Sequence, residues 1–358
     1  KKYTRKKYTR KKYTRKKYSK HKYRKLKGGY TVHEGLAKIL VEFINKTKVR
    51  RRKYEFGRML GEGANSSVFS VSSNKTSYAL KVTSMVHLPD ERYDWKVLLD
   101  LLKEICILNV MKLSDYCVHV YDSVYYGSLL GMILDEGYNL HRIITVDRPT
   151  DIQKKDIVIG LCAGLSHIHS ISLIHCDIKP QNVIVIKTSG RGRAEEDVYI
   201  PKLIDFGSTL LISSPPAPFG GTFDFVPPEV IQTQLDRESF RINAIPSMDI
   251  WALGLCVVFI SSGIYPFKSR GVWNPWLIMD ILQYINTICK SRNLATEFIK
   301  STENKASDIT VAKLTGPVIK SLTPLIRNEQ LLLVAQGCLQ INPTERKSAS
   351  ELLSLLSE

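Results

Sequence analysis

The stretch "LIHCDIKPQNVIV", residues 173–185, places Asp177, Lys179 and Asn182 in one short loop between an apolar helical run and a strand-like one. A carboxylate in such a loop can accept or orient a hydroxyl proton. An ammonium two residues on can neutralise a transferring phosphoryl group, and an amide oxygen can bind Mg²⁺. The bland alternative is a polar surface loop, which gives no reason for the flanking apolar runs. Further along, "KLIDFGS" ends a strand-like run in Asp205, just before Phe206 and Gly207, and so supplies a second carboxylate for a cation.

Two weaker signals precede these. In "LGEGANSSV", Gly61, Glu62 and Gly63 lie between two strand patterns, where a turn without Cβ atoms lets backbone N–H groups approach phosphate oxygens. A hairpin turn is the commoner origin of Gly-x-Gly, and Ser66 stands where a third glycine would complete Gly-x-Gly-x-x-Gly. Lys81 in "YALKV" alternates with Leu80 and Val82; as an edge-strand lysine it would simply point to water. To work on phosphate it needs a carboxylate to hold its ammonium, and Glu104 on the following helix is the candidate.

Taken in order, these motifs resemble those of the eukaryotic Ser/Thr protein kinases, over roughly residues 54–356; each is weak to moderate alone, and their ordered conjunction is specific. The resemblance implies ATP and Mg²⁺ as cofactors and proteins bearing Ser or Thr hydroxyls as substrates. It implies a nucleotide-covering loop of Gly61, Glu62 and Gly63, with Val68 and Ala79 packing on the adenine. Lys81, paired with Glu104, would hold the α- and β-phosphates. Asp177 would be the catalytic base, Lys179 the phosphate-stabilising lysine, and Asn182 and Asp205 the metal ligands, Asp205 opening the Asp-Phe206-Gly207 motif. Away from the reacting groups, Glu229 would pair with Arg346, and Asp249 would anchor the catalytic loop. Lys179 together with Thr222 is similar to Ser/Thr rather than tyrosine kinases.

There are departures from the pattern. Cys176 stands where many kinases have an arginine that pairs with a phosphorylated activation segment, so ordering of residues 205–229 should depend less on phosphorylation. Ser213 and Ser214 lie in that segment, and Ser214 precedes Pro215, although a stiff loop is the simpler reading. Pro227 replaces the usual alanine. Residues 187–202, "KTSGRGRAEEDVYIPK", read as an exposed insertion.

The elements that must position these groups read as α+β, a two-lobed kinase fold. A small β-rich lobe with one main helix spans about 54–136, and a larger helical lobe about 140–356. In the main helix of the small lobe, Trp95, Leu98, Leu99, Leu102, Ile105 and Leu108 form one stripe behind an Asp90 cap. Ahead of the small lobe, residues 30–53 hold a helix, "HEGLAKILVEFINKTK", whose Leu36, Ile39, Leu40, Phe43 and Ile44 predict docking on the main domain. Helical runs are also predicted at "WLIMDILQYINTI" and "ELLSLLS". The uncharged stretch "IWALGLCVVFISSGIYPF" must be weighed as a membrane span, but Ser261, Ser262, Gly263 and Pro266 cut its dense part short of the ~20 residues required, and a buried core helix is the better reading.

The net charge of +18 belongs almost wholly to one end. Residues 1–30 carry 16 Lys/Arg and no acid, whereas residues 54–358 carry 29 against 32 Asp/Glu. The arm repeats "KKYTR"; a five-residue period advances about 140° on a helix and flips faces on a strand, so neither gains an apolar side, and residues 1–29 are expected to be disordered. Such an arm could contact nucleic acid, an anionic membrane or an import receptor (importin), or remain a solvated tail. A nucleic-acid binder acting through the arm is the competing function. A pseudokinase scaffold is another, although Lys81, Asp177 and Asp205 are all retained. The first residue is not Met, which suggests a processed or partial chain, and no apolar signal segment precedes the domain. Seven cysteines without a Cys-x-x-Cys pair argue against a disulfide framework or a zinc knuckle and for an intracellular setting, nucleus or cytoplasm.

Overall fold

The computed structural model describes residues 32–47, 52–62, 66–84, 95–127, 129–188, 197–218, 220–231, 241–266 and 322–357. The KKYTR arm, Gly63, the Asp90 cap, the side chains of Trp95 and Leu98 and the run "WLIMDILQYINTI" lie outside the described residues.

A five-stranded antiparallel sheet forms the small lobe. Its strands are β1 (Glu55–Glu62), β2 (Ser66–Ser73), β3 (Thr76–Ser84), β4 (Val120–Tyr126) and β5 (Leu129–Asp135), in the order β1-β2-β3-β5-β4. The β2–β3 register closes at Ser73 against Thr76, leaving Asn74 and Lys75 as a two-residue turn with φ of 50° and 66°. Positive φ at both positions is the mirror-image turn that suits the strand twist, and Asn tolerates it well. Because side chains alternate along a strand, β3 divides its residues between two cores. Tyr78, Leu80 and Val82 join Phe69, Val71 and Ile133 on one face, while Ala79 joins Met132 and Leu134 on the other.

The first face is covered by α1 (Val32–Lys46), so the predicted docking helix is present, with a rotated contact face. Ala37, Leu40, Val41 and Ile44 are buried against the sheet, whereas Ile39 is 43% exposed. The spacing 37, 40, 41, 44 is a cleaner helical face than the one centred on Ile39. At the helix end, Asn45 binds both backbone groups of Tyr54, its Nδ2 donating to the carbonyl at 2.7 Å and its Oδ1 accepting from the N–H at 2.8 Å.

The second face meets α2 (Trp95–Val110), and here the sequence stripe is corrected. Leu101, Glu104, Ile107 and Leu108 turn inward, while Leu99 and Leu102 are 65% and 48% exposed. Both sides of this helix are rich in apolar residues, so periodicity could not choose between them. The pairing of Glu104 with Lys81 fixes the rotation.

The larger lobe is built on α3 (Asp151–Ser170), α4 (Pro246–Ser262), α5 (Glu329–Cys338) and α6 (Ala349–Ser357). A capping box between Thr150 and Gln153 starts α3. Pro246 opens α4, and Gly263, at φ +74°, closes it by donating its N–H to the Phe259 carbonyl at 2.7 Å. Every residue from Met248 to Ile260 is buried, so the uncharged run is the central helix of the lobe. Gly254 on α4 leaves no room for a side chain: a Cβ there would stand 2.6 Å from that of Cys338 on α5. Among the described residues no helix is long and apolar enough to cross a membrane, and six cysteines are free.

Short strands frame the loops of this lobe. They are β6 (Tyr138–Asn139), β7 (Leu173–Ile174), β8 (Val183–Thr188), β9 (Val198–Leu203), β10 (Leu210–Leu211), β11 (Ala217–Pro218) and β12 (Arg241–Ile242). The supposed insertion at 187–202 is smaller than the sequence suggests. Lys187, Thr188 and residues 198–202 belong to a β8–β9 hairpin, because alternation along "VYIPKL" buries Tyr199 and Pro201.

Candidate active site

A cleft of about 700 Å³ lies between the sheet and the helical lobe, large enough for a nucleotide. Gly61 and Glu62 at the end of β1, Val68 on β2 and Ala79 on β3 line its sheet side; Leu134 and Gly137 line its back. Lys81 also faces it, from the middle of the sheet rather than an edge, since β3 pairs with both β2 and β5. Its Nζ donates to both oxygens of Glu104, at 2.6 and 2.9 Å, and lies 3.9 Å from Asp205. Glu104 is only 6% exposed, so burial makes each charge depend on the other.

On the helical side, residues 175–182 form a loop between β7 and β8 whose backbone is fixed by Asp249 on α4. That carboxylate, 1% exposed, accepts the N–H groups of His175 and Cys176, each at 2.8 Å, and lies 3.0 Å from His169 Nε2. Cys176 takes φ +65°, a strained conformation for a side-chain-bearing residue, and Asp249 binds the N–H that this conformation presents. The His175 ring continues the framework: Nδ1 accepts from the Asp177 N–H at 3.3 Å, which leaves Nε2–H to donate to the Ile204 carbonyl at 3.0 Å. It packs on Phe206, with ring centroids 5.0 Å apart.

Asp177 adjoins the cleft through Asn182, which lines it, and sits inside a closed network. Lys179 Nζ donates to its Oδ2 at 2.6 Å, Asn182 Nδ2 to the same oxygen at 2.8 Å, and Thr222 Oγ1 to its Oδ1 at 2.7 Å. Lys179 also donates to Thr222 Oγ1 at 2.7 Å. Asn182 Nδ2 binds the Asp177 carbonyl as well, at 2.9 Å, so the amide nitrogen is committed and the oxygen is the atom left for a cation. Asp205, at φ +63°, presents a side chain 52% exposed into the cleft, while Phe206 behind it is fully buried. Gly207 lines the cleft and accepts from Lys103 Nζ at 3.4 Å. A carboxylate and an amide oxygen that line the same cleft are the hard oxygen donors that suit Mg²⁺.

The distal pair also forms. Arg346 makes a two-pronged contact with Glu229, both distances 2.7 Å, and lies over the Trp251 ring at 5.0 Å. One cleft thus collects Gly61, Glu62, Val68, Ala79, Lys81, Glu104, Asn182, Asp205 and Gly207, with Asp177, Lys179 and Thr222 joined to it through Asn182, while Asp249, Glu229 and Arg346 stand away from it.

Some contributors had no separate signal in the sequence. Lys202, just ahead of "LIDFG", is buried and pairs with Asp135 at 3.2 Å. Asp135 also accepts from Tyr121 Oη and the His119 N–H, each at 2.8 Å, and burial together with that carboxylate raises the Tyr121 pKa. His169 shows nothing in sequence to link it to Asp249, 80 residues away. Burial, then the Asp249 charge, holds the Cys176 thiol protonated and neutral, so it offers no cation in the arginine position.

Comparison with known proteins agrees with this geometry. The model of the protein kinase domain matches residues 54–355. Calcium-dependent protein kinase 4 of Plasmodium falciparum is 27% identical over 275 residues, covering 70% of this chain and 48% of that protein. A probable myosin light chain kinase of Dictyostelium discoideum is 25% identical over 61% of this chain and 66% of its own length. The human serine/threonine-protein kinase DCLK3 is 26% identical over 61% of this chain and 31% of its own. The chain therefore spans between 31% and 66% of the length of these relatives. A solved kinase-domain crystal structure superposes with a TM-score of 0.60 at 21% identity, over 85% of this chain and 95% of the other. With the kinase model matched from the first sheet strand to the last helix, and a β-sheet lobe set on a helical one, the chain belongs to the protein kinase family.

Proposed function

We propose that the chain is an active protein kinase that moves the γ-phosphoryl group of ATP to Ser or Thr hydroxyls of protein substrates. Lys81, held by Glu104, would bind the phosphates, and Asn182 and Asp205 would hold Mg²⁺. When bound, the metal offsets phosphate charge as the group transfers. Asp177 orients the acceptor hydroxyl and takes its proton, and Lys179 neutralises charge on the phosphoryl oxygens. Thr222 shares hydrogen bonds with both, so the segment beneath the acceptor is tied to the base, and the catalysis is mostly positioning and electrostatics. The ATP and Mg²⁺ requirement is that of the family. Ser/Thr specificity is favoured by Lys179 and by the name of the human relative, a serine/threonine-protein kinase.

The observation that carries this reading is the Asp177–Lys179–Asn182–Thr222 network together with an intact Lys81–Glu104 pair. The test is phosphoryl transfer from labelled ATP to a Ser, Thr and Tyr peptide library. Wild type should label Ser and Thr, and Asp177→Asn should lose about 10²–10⁴-fold, the usual worth of a positioned base. A wild type no faster than Asp177→Asn would sink the reading in favour of a scaffold. The basic arm is proposed to target or dock this activity within the nucleus or cytoplasm.

A further inference from the structure

Beside Asp177, the rim of the helical lobe holds a fixed set of polar side chains that the transfer chemistry does not use. Gln181, exposed and four residues after Asp177, lines the cleft together with Tyr138, Asn139 and Arg142. Its Nε2 donates to Tyr265 Oη at 3.0 Å, and that oxygen lies 3.1 Å from His141 Nδ1. With Tyr265 accepting from Gln181, its own hydroxyl hydrogen serves Nδ1, so the neutral His141 ring carries its proton on Nε2; the protonated ring carries one there too. Burial, then Cys256 and Asp224, pushes the Tyr265 pKa up to about 12, which keeps the phenol protonated. The imidazole stacks on Phe259 and Tyr265, with centroids 5.7 and 5.6 Å away, and the His141 N–H donates to Asn139 Oδ1 at 2.9 Å. Arg142, also exposed, lies 4.7 Å from the Tyr138 ring centroid and makes no ion pair among the described residues.

These groups adjoin Asp177 from two directions. Asn182, next to Gln181, donates to Asp177 Oδ2. Phe225, whose ring meets that of Tyr265 with centroids 6.5 Å apart, shares a small hollow with Asp177 and Thr222. A peptide whose hydroxyl sits at Asp177 therefore lays its neighbouring residues along this rim, each about 3.3 Å further on. The only formal charge among Tyr138, Asn139, His141, Arg142, Gln181 and Tyr265 is the positive one of Arg142, and Asp224, the carboxylate that acts on Tyr265, already has a partner. A guanidinium beside oriented N–H groups suits a carboxylate. A lysine or arginine placed there would meet Arg142 and find no counter-charge. We propose that Gln181, His141 and Arg142 form a subsite for an acidic side chain within about four residues of the acceptor hydroxyl, so that the chain phosphorylates acidic sequences in preference to basic ones. The proposal rests on Asp177 being the base of a protein kinase. It also makes the KKYTR arm a poor substrate, since its Thr4, Thr9 and Thr14 lie among lysines and arginines.

The test measures kcat/KM of the full chain with Mg-ATP on one serine peptide whose flanks are neutral, glutamate-bearing or lysine-bearing, and on a peptide of the arm sequence. Wild type should favour the glutamate form over the neutral one at least about tenfold, the worth of one hydrogen bond to a charged group, and should label the lysine form and the arm peptide least. Arg142→Glu should reverse the order of the glutamate and lysine forms. Gln181→Glu, which keeps the shape and turns an amide into a carboxylate, should erase the preference. Each comparison is a ratio within one variant, so a general loss of activity cancels. Fluorescence anisotropy of the labelled glutamate and lysine peptides on Asp177→Asn, with and without Arg142→Glu, reads the subsite without any transfer. Equal rates on all forms, a preference for lysine, or a glutamate preference that Arg142→Glu leaves intact overturns the proposal while the kinase activity stands. No transfer to any peptide sinks the kinase activity instead; the anisotropy then decides the subsite, and a glutamate peptide bound no tighter than the lysine one overturns it.

Discussion

The helical side of the cleft takes its shape from backbone donors bound to Asp249, a buried carboxylate on a fully buried helix. The sheet side takes its working geometry from one side-chain ion pair, Lys81–Glu104, between a strand and a helix that packs mostly on its inner face. Hydrogen bonds to backbone set the path of the loop itself. An ion pair between elements sets only how close those elements stand. Asp177, the proposed base, is thus preorganised as part of the core, whereas Lys81, proposed to bind phosphate, depends on where α2 sits.

The largest effect should follow from breaking the helical-side anchor. Asp249→Ala leaves the N–H groups of His175 and Cys176 without their acceptor, at about 1–3 kcal/mol for each buried orphan. That is a large share of a domain stability of about 5–15 kcal/mol. Denaturant melts should show a lower midpoint, and transfer activity should vanish with it. A variant of unchanged midpoint would show that packing, rather than Asp249, holds the loop.

Next comes the support behind the sheet. Leu40 on α1 is fully buried against β3 and β5, so Leu40→Ala should lower stability by about 2–5 kcal/mol. Activity per folded molecule should stay close to wild type, because Leu40 lies on the face away from the cleft. If kcat fell while the midpoint held, α1 would be acting on the site and not on the lobe. A smaller effect is expected from the pair itself: Glu104→Gln keeps the shape and removes the charge, which at about 1.5–3 kcal/mol for a charged hydrogen bond means about 10- to 150-fold in kcat/KM. Its melting midpoint should fall as well, since Lys81 keeps a largely buried charge without its carboxylate, so loss of activity per folded molecule is what separates it from Leu40→Ala.

The same contrast explains what could be read from the sequence. The loop residues Asp177, Lys179 and Asn182 are close in the chain, and their chemistry is visible as a cluster. The buried run around Trp251 could be assigned because it is apolar on every side and so needs no choice of face. The orientation of α1 and α2 could not be obtained this way, since Ile39 and Leu102 are as apolar as the residues that are buried. Only the partner surface, with Lys81 opposite Glu104, selects the inward side. The Asp135–Lys202 pair was hidden for a related reason: two charged residues 67 positions apart announce nothing until β9 passes the end of β5.

The activation segment tests whether the helical side needs an added charge to be ordered. Where an arginine would await phosphate, Cys176 packs with Ile174, Ala244 and Leu210 in a small apolar cluster. Leu210 and Leu211 pair as a strand with Ile174 and Leu173, and Ala217 and Pro218 pair with Ile242 and Arg241. These contacts hold the segment through backbone bonds and apolar burial, neither of which a phosphate on Ser213 or Ser214 would strengthen. Phosphatase treatment should therefore change activity by less than about twofold, because no charge-assisted bond to a cation at position 176 exists to be lost. Leu210→Ser, which puts a hydroxyl among the apolar groups, should lower activity more than phosphatase does. A large loss on dephosphorylation, with Leu210→Ser silent, would mean that another cation binds the phosphate and that the apolar cluster is incidental to ordering.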